Sequence, residues 1–596
     1  MDGIHALNTR KARAWLMAVT LALALLVVGG PAIAWAQGPT AADTDVAIGV
    51  VYEDRNKNGR QDDQETGIEG VSVSNGRDVV RTDDDGRYEI GVTNETIIFV
   101  SKPADYMVPV DENQLPQFYY IHYPQGSPLQ TRYPGIKPTG PLPESVDFPL
   151  YRQPASDFRA LLFADPQTRS LGELEDMRAD VARELRGTDA AFGITAGDVV
   201  NDPLDLFGPH NEIVATMGVP WWNLPGNHDM NYDVPDDTYA TETYKSVYGP
   251  TDYSFDYGQV HFVNMDNVQY LGQGNGYRGF LNERQLEWLE NDLANVPSDT
   301  LVVITTHIPL RTEAIGTQAQ NTVNLQQLLD LLEGREHVFS TSGHDTSNSW
   351  QTYLEPGEVT STPPGTQPAV WDGPGTFHHQ VLAEVRGGGW QSGPTDARGV
   401  HAADMADGNP NGYYFLDVKG NSHRMRYKPA SLPASFQARI TFRGGRGNHT
   451  LSNGERVWIP SGPSGSRGIS PAPLFAPAAW GSEQQPLIEA NVFDGGEKHV
   501  VEVSIDRGEY IPMDYNPPRF GLTDGDPNGN LDTYIRALRD NLQGSERPVR
   551  PEPSSHIWTK PVPDGLEPGR HTATVRSIDP YGRTTRTSQV FVVADN

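Results

Sequence analysis

The chain has 596 residues and a formal net charge of -31, so it is too long for one hydrophobic core and too acidic to favour nucleic acid or anionic membrane surfaces as partners. It contains no cysteine, which rules out disulfides, thiolate metal sites and cysteine nucleophiles and leaves any transition metal to His, Asp, Asn or Gln. Glycine (60) and proline (48) make up about 18% of the chain against a usual ~12%, which points to turn-rich β modules around a larger core.

Residues 1–36 read as a signal peptide. Arg10, Lys11 and Arg13 precede an apolar run at 15–28, shorter than the ~20 residues a membrane span needs, and Ala34-Trp35-Ala36 offers small residues for cleavage. The mature chain is expected to begin at Gln37 and to be secreted or periplasmic, with no stable membrane insertion after signal removal. Residues 44–133 read as a small β-sandwich, with β-type runs at 46–52 and 71–90 broken by turns such as Thr82-Asp83-Asp84-Asp85-Gly86-Arg87-Tyr88. Inside it Asp54, Asn56, Asn58, Gly59, Arg60, Asp62 and Glu65 hold positions 1, 3, 5, 6, 7, 9 and 12 of a loop with calcium-binding spacing, Arg60 through its backbone carbonyl. The flanks read as strands, so the loop resembles the calcium loops of B-type repeats in bacterial surface adhesins, which implies a structural calcium ion rather than a switch. A plain polar turn is the alternative, because Asn and Gly are common turn formers.

A Pro-rich stretch at 134–156 reads as a linker. From 157 to 428 short apolar runs alternate with segments of helical period. Leu171, Leu174, Met177, Val181 and Leu185 share one helix face, as do Leu286, Leu289 and Leu293, the latter helix capped by Asn282 with Gln285 three residues on. This alternation predicts an α/β sandwich. Residues 351–374 read as a loop and 380–385 and 413–418 as strands. From 432 to 596 the pattern is again β, clearest at 500–505, 572–577 and 589–593, and predicts a C-terminal β-sandwich.

Five apolar runs in the α/β region stop at possible metal ligands: Asp165-Pro166-Gln167, Gly197-Asp198, Gly226-Asn227-His228-Asp229, His307 and Gly343-His344. In open α/β sheets the site lies beyond the carboxyl ends of the strands, so these residues should converge on one rim. Hydrolysis of a phosphate ester needs an activated water and neutralised phosphoryl charge, which two cations roughly 3.5 to 4 Å apart supply together. Imidazole and carboxylate ligands suit manganese, zinc or iron alike.

Those ordered motifs resemble the signature of calcineurin-like metallophosphoesterases over about 190 residues, Gly226-Asn227-His228-Asp229 being the most specific piece. The resemblance implies a four-layer αββα sandwich between the two β-sandwich modules and a metal-dependent hydrolase of small phosphate mono- or diesters working through metal-bound hydroxide. It implies that Asp198, Asn227, His307 and His344 hold one divalent transition metal, and that Asp165 and Asp198, with positions 167 and 346, hold a second. It gives His228 the role of a non-ligand histidine that contacts phosphate and protonates the leaving oxygen, oriented by Asp202, or by Asn201 or Asp229.

Gln167 and Thr346 stand where the family usually carries histidine. Each can offer an oxygen, or can only hydrogen-bond a coordinated water, so this second metal is expected to be weakly held, replaced or absent. On an extended strand end residues 344 and 346 share a face while Asp345 points away. Gly387-Gly388-Gly389-Trp390-Gln391-Ser392-Gly393-Pro394, residues 407–413 and Ile578-Asp579-Pro580-Tyr581-Gly582-Arg583 resemble the C-terminal part of bacterial phosphoesterases with accessory domains at both ends. At most one of His378 and His379 should face the metals, and Trp221-Trp222 reads as packing. The alternative function is a non-catalytic surface or carbohydrate-binding protein with a degenerate phosphoesterase core.

Overall fold

The computed structural model describes residues 45–312, 318–363, 365–443, 448–450, 456–458, 474–475, 485–515, 517–518 and 531–593. The signal-peptide reading lies outside them. Along Asp45–Glu53, Ala47 and Val51 are buried while Val46 and Ile48 are about half exposed, the two-residue alternation of a strand with one wet face. This strand lies in a four-stranded sheet ordered Arg87–Val92, Asp45–Glu53, Phe148–Arg152, Tyr106–Met107. A second sheet, ordered Val79–Arg81, Ser72–Ser74, Thr96–Val100, Tyr119–His122, completes the N-terminal module. The expected linker is corrected here. Its residues Phe148–Arg152 pair with Val51, Tyr52 and Glu53 in parallel and with Tyr106 and Met107 antiparallel, because Phe148 and Leu150 alternate into the core.

The central region stacks two mixed sheets. One runs Trp221–Leu224, Phe192–Ala196, Asp157–Phe163, Gly412–Lys419, Ser422–Pro429, with the first three strands parallel. The other runs Tyr253–Tyr257, Val260–Met265, Leu301–Thr306, Val338–Ser342, Phe377–Val381, Trp350–Leu354, with the middle four parallel. Strands buried on both faces read as continuous apolar runs, which is why these segments show no alternation. Leu161 and Phe163 pack with Met177, Val181 and Leu185 under helices α1 (Leu171–Asp180) and α2 (Phe207–Ala215). Their neighbours Ala160 and Leu162 face the opposite way, into a core with Phe192, Trp222, Phe255 and Phe262. After α3 (Glu242–Tyr248), helices α4 (Glu283–Leu293) and α5 (Leu325–Leu332) bring Trp288, Leu289, Leu328 and Leu329 into that same core. The result is the αββα layering.

Leu171 departs from its expected face. It is 63% exposed, because Ser170 caps the helix and places Leu171 at its first, outward-facing position. The helix ends at Asp180, and a 3-10 turn, Ala182–Leu185, keeps Val181 and Leu185 buried. The Asn282–Gln285 capping box forms as expected. Residues 351–374 contain strand as well as loop, since Trp350–Leu354 joins the second sheet and Glu358–Val359 pairs with Val370–Trp371.

The C-terminal module faces a four-stranded sheet, Ala438–Arg443, Leu487–Val492, Ile557–Pro561, Asp514–Tyr515, against a five-stranded one containing Val500–Ile505, Gly569–Ile578 and Thr584–Val593. The all-β expectation there misses α6 (Thr533–Asn541), which Asp532 caps by accepting from the Ile535 amide at 2.8 Å. Tyr534, Ile535 and Leu538 form its buried face. Among the described residues no helix is long and apolar enough to cross a membrane.

Candidate metal centre

The five strand ends meet at one rim. The backbone turns sharply where three of these strands stop: Asp165, Gln167, Asp198 and His344 all adopt positive φ, between 38° and 72°. Such strain in non-glycine residues persists where surrounding contacts enforce it, and these residues lie where motif and neighbouring strand press together. A Cβ on Gly226 would lie 2.2 Å from Asp198 Oδ1, and one on Gly343 would lie 2.3 Å from Asp165 Oδ2. The glycines of the two motifs are thus required by the carboxylates that sit against them.

Asp198, His307 and His344 are buried, and their ligand atoms lie within 4.8 Å of one another. The tautomers follow from the partners. His307 Nδ1 lies 2.8 Å from the Ala196 carbonyl, which can only accept, so this nitrogen carries the proton and neutral His307 presents a lone pair at Nε2. His344 Nε2 lies 2.8 Å from the Ala319 carbonyl, so Nδ1 carries its lone pair. His307 Nε2 then sits 3.2 Å from His344 Nδ1, 3.1 Å from Asn227 Oδ1 and 3.3 Å from Asp198 Oδ1. Four electron-pair donors facing one another without a proton between them form a pocket that a cation satisfies. Burial, with His307 alongside, pushes the His344 imidazole down to about 3. Burial alone would raise the Asp198 carboxyl, but His307, His228 and His344 pull it below the usual carboxylate range.

His228 stands at the edge of this pocket, partly exposed. Its backbone N–H donates to Asp198 Oδ1 at 2.7 Å, and its ring Nδ1 lies 2.8 Å from Asp202 Oδ1. Burial works against the imidazolium, yet Asp198 and Asp202 hold the His228 pKa above its ordinary value. The other candidates for orienting it are engaged elsewhere: Asp229 accepts from the Val199, Val200 and Gly226 amides at 2.9 to 3.1 Å, and Asn201 bonds Gln167 and Arg169.

The neighbouring position is built differently. Asp165 accepts from the His344 amide at 2.8 Å and from Gln167 Nε2 at 3.4 Å, and Gln167 Nε2 also donates to Asp198 Oδ2. Thr346 takes no part, because its side chain is exposed. Positive φ at His344 breaks the strand alternation that would have placed 344 and 346 on one face, and buried Asp345 instead accepts from Ser347 and Asn348.

Two residues absent from the sequence-derived set lie here. Glu384 is fully buried, with no hydrogen bond to either carboxylate oxygen among the described residues, and Arg386 donates from Nη1 to Gln167 Oε1. After burial itself, Glu384 is the largest influence raising the Asp165 carboxyl. The signal was the same strand-end rule: the strand stops at Val381, so Glu384 and Arg386 lie at the rim, whereas a strand read through to 385 hides them. His379 is held by Ser340 Oγ at 2.8 Å and the Leu310 amide at 3.2 Å, and His378 stacks on Tyr353, so both have partners away from the metal residues. Trp221 packs edge-on to Phe163 and Trp222 stacks on Phe255 at 4.1 Å, both buried as packing.

The loop at residues 54–65 closes on itself. Asp54 accepts from the Asn58 and Gly59 amides, Asn56 and Asn58 both donate to Asp62 Oδ2, and Glu65 accepts from the Arg55 and Asp62 amides, all between 2.7 and 3.1 Å. Arg60 donates its amide to Asn58 Oδ1 at 2.8 Å and leaves its side chain in solvent. The strand Asp45–Glu53 precedes the loop, so its flank is a strand rather than a helix.

Three family models match the chain in order: the N terminal of Calcineurin-like phosphoesterase over residues 55–134, Calcineurin-like phosphoesterase over 158–347, and the C terminal of Calcineurin-like phosphoesterase over 385–584. A search of curated proteins returns no match. Among solved structures the chain is similar to a purple acid phosphatase from yellow lupin (Lupinus luteus) seeds, at 14% identity and a TM-score of 0.33, over 61% of this chain and 69% of that one. The three consecutive matches take in most of the described chain and place the metal centre in the middle one; the chain belongs to the calcineurin-like phosphoesterases, metal-dependent hydrolases of phosphate esters, with N- and C-terminal accessory domains.

Proposed function

We propose that the chain hydrolyses small phosphate mono- or diesters outside the cytoplasm, with a manganese, zinc or iron ion held by Asp198, Asn227, His307 and His344. The observation that carries this reading is the convergence of their lone-pair atoms: those of Asn227, His344 and Asp198 lie 3.1 to 3.3 Å from His307 Nε2. A divalent ion bound there supplies charge to neutralise phosphoryl oxygens and makes nearby water more acidic. The protein's own contribution is a positioned acid. Asp202 fixes the proton on His228 Nδ1, and the upward shift that Asp198 and Asp202 impose favours the protonated ring, so Nε2 can hand its proton to the departing oxygen. Stripping the metal with a chelator should abolish hydrolysis of an aryl phosphate or aryl phosphodiester, and manganese, zinc or iron should restore it. Asp198→Asn and His307→Ala should lower kcat/KM more than about 100-fold. Full activity in either variant sinks the assignment.

The extracytoplasmic site of action rests on the basic and apolar N-terminal segment. N-terminal sequencing of the exported protein should begin at Gln37. The loop at 54–65 is proposed to take one structural calcium ion, on the strength of its spacing and of the carboxylates of Asp54, Asp62 and Glu65 gathered in it. Roughly 10 mM calcium should raise the melting temperature of the wild type by a few degrees and leave that of Glu65→Gln unchanged.

A further inference from the structure

The residues beside Asp198 do not fit a second metal ion. Thr346 is exposed, so position 346 offers no ligand. Gln167 is fixed the wrong way round for ligation. Its Oε1 accepts from Arg386 Nη1 and, at 3.2 Å, from Asn201 Nδ2. Asn201 is in turn oriented by Arg169, whose Nε donates to Asn201 Oδ1 at 3.2 Å. Two arginines thus determine the sense of the whole chain of amides. The Gln167 group left facing Asp165 and Asp198 is the Nε2 amide, which has protons to give and no lone pair for a metal.

Charge balance points the same way. Asp165, Asp198 and Glu384 are each fully buried. Buried carboxylates attract positive charge, because holding one ionised without a partner costs several kcal/mol. Arg386 supplies one unit, with its Nε 3.8 Å from Glu384 Oε2 and its Nη1 on Gln167. One divalent ion among Asp198, Asn227, His307 and His344 would add two more.

We infer that Arg386, aligned by Gln167 and Glu384, takes the place of that second metal, so that the centre binds a single divalent ion. A guanidinium suits the task because it remains charged at any working pH and presents a planar fork of donors. The inference rests on the metal-centre reading under Proposed function, and the test separates the two. The full-length chain is loaded with excess manganese in millimolar calcium, which occupies the loop at 54–65, and freed of unbound ions. Bound manganese is then counted by elemental analysis and its spectrum recorded by electron paramagnetic resonance. One manganese per chain with the signal of an isolated ion is expected. Two per chain with an exchange-coupled signal overturns the inference, whereas none overturns the reading of the centre itself. Arg386→Ala leaves three carboxylates facing one ion and should take up a second, weaker equivalent; a count that stays at one shows that the guanidinium was not standing in for a metal. Arg386→Lys keeps the charge and should stay at one even if the alanine variant fails to fold, and a count of two in it again overturns the inference.

Discussion

His228 and Asp202 differ from the rest of the centre in being open to solvent, as a group that meets a substrate has to be. His228→Ala should lower kcat by ~10² to 10⁴. If protonated His228 is the acid, activity declines as pH rises through its pKa. Asp202→Asn removes one of the charges that raise this pKa, so the basic limb of the pH–rate profile should move to lower pH. An unmoved limb would rule out Asp202 as the orienting group. A second histidine, His261, is buried between Asp256 and Asp292 at 2.7 and 2.8 Å. Burial opposes its charge, but Asp292 and Asp256 outweigh this and raise its pKa from 6.5 to about 10. Its stabilising contribution is therefore complete below pH 6.5 and lost as pH rises through about 10. Each tenfold difference in proton affinity between the folded and unfolded chain is worth about 1.4 kcal/mol. Thermal melts of His261→Gln should show a flatter decline between pH 7 and 10 than the wild type. Of the site residues, Asp198, Asn227, His228, His307 and His344 were legible because each lies in a short motif where an apolar run ends; Glu384 and Arg386 were not, because where a strand stops depends on its neighbours.

Among the elements, α4 shows how far local chemistry reaches. Asn282 and Gln285 exchange backbone and side-chain hydrogen bonds at 2.8 and 3.1 Å, a pattern readable from residue type and spacing alone. Asn282→Ala should cost about 1 kcal/mol in denaturant unfolding with catalysis intact. Gly226→Ala is expected to behave differently. The new methyl group meets Asp198 Oδ1 and the Asp198 backbone nitrogen at 2.2 and 2.3 Å, so activity and bound metal should fall together. Phe148–Arg152 and α6 escaped the sequence reading for related reasons. A proline-rich context masked a short inward alternation in the first, and a nine-residue helix whose apolar face is three side chains wide carries little periodic signal in the second.

For the molecule as a whole, residues Thr44–Asn596 form one compact unit, and the C-terminal module is tied to the core by buried polar contacts. His556 and Asp407 meet at 2.8 Å with both side chains fully buried, and Asp494 accepts from Gln380 at 2.7 Å and from Tyr414 at 2.9 Å. His556→Ala removes the buried hydrogen bond between His556 Nε2 and Asp407 Oδ2 and should destabilise by about 1 to 3 kcal/mol. Because the contact joins module to core, calorimetry should show both transitions moving together; an unmoved core transition would mean the module is independent. Sequence by itself determined the α/β core between β modules, the strand-end motifs and the residues that converge on one rim, since each follows from short-range periodicity and from which side chains can carry ligand atoms. Only the tertiary structure decided the second half of the centre. Whether Gln167 turns an oxygen or an N–H₂ towards Asp198 depends on Arg386, 219 residues further along, and whether position 346 faces the site depends on a left-handed turn at His344.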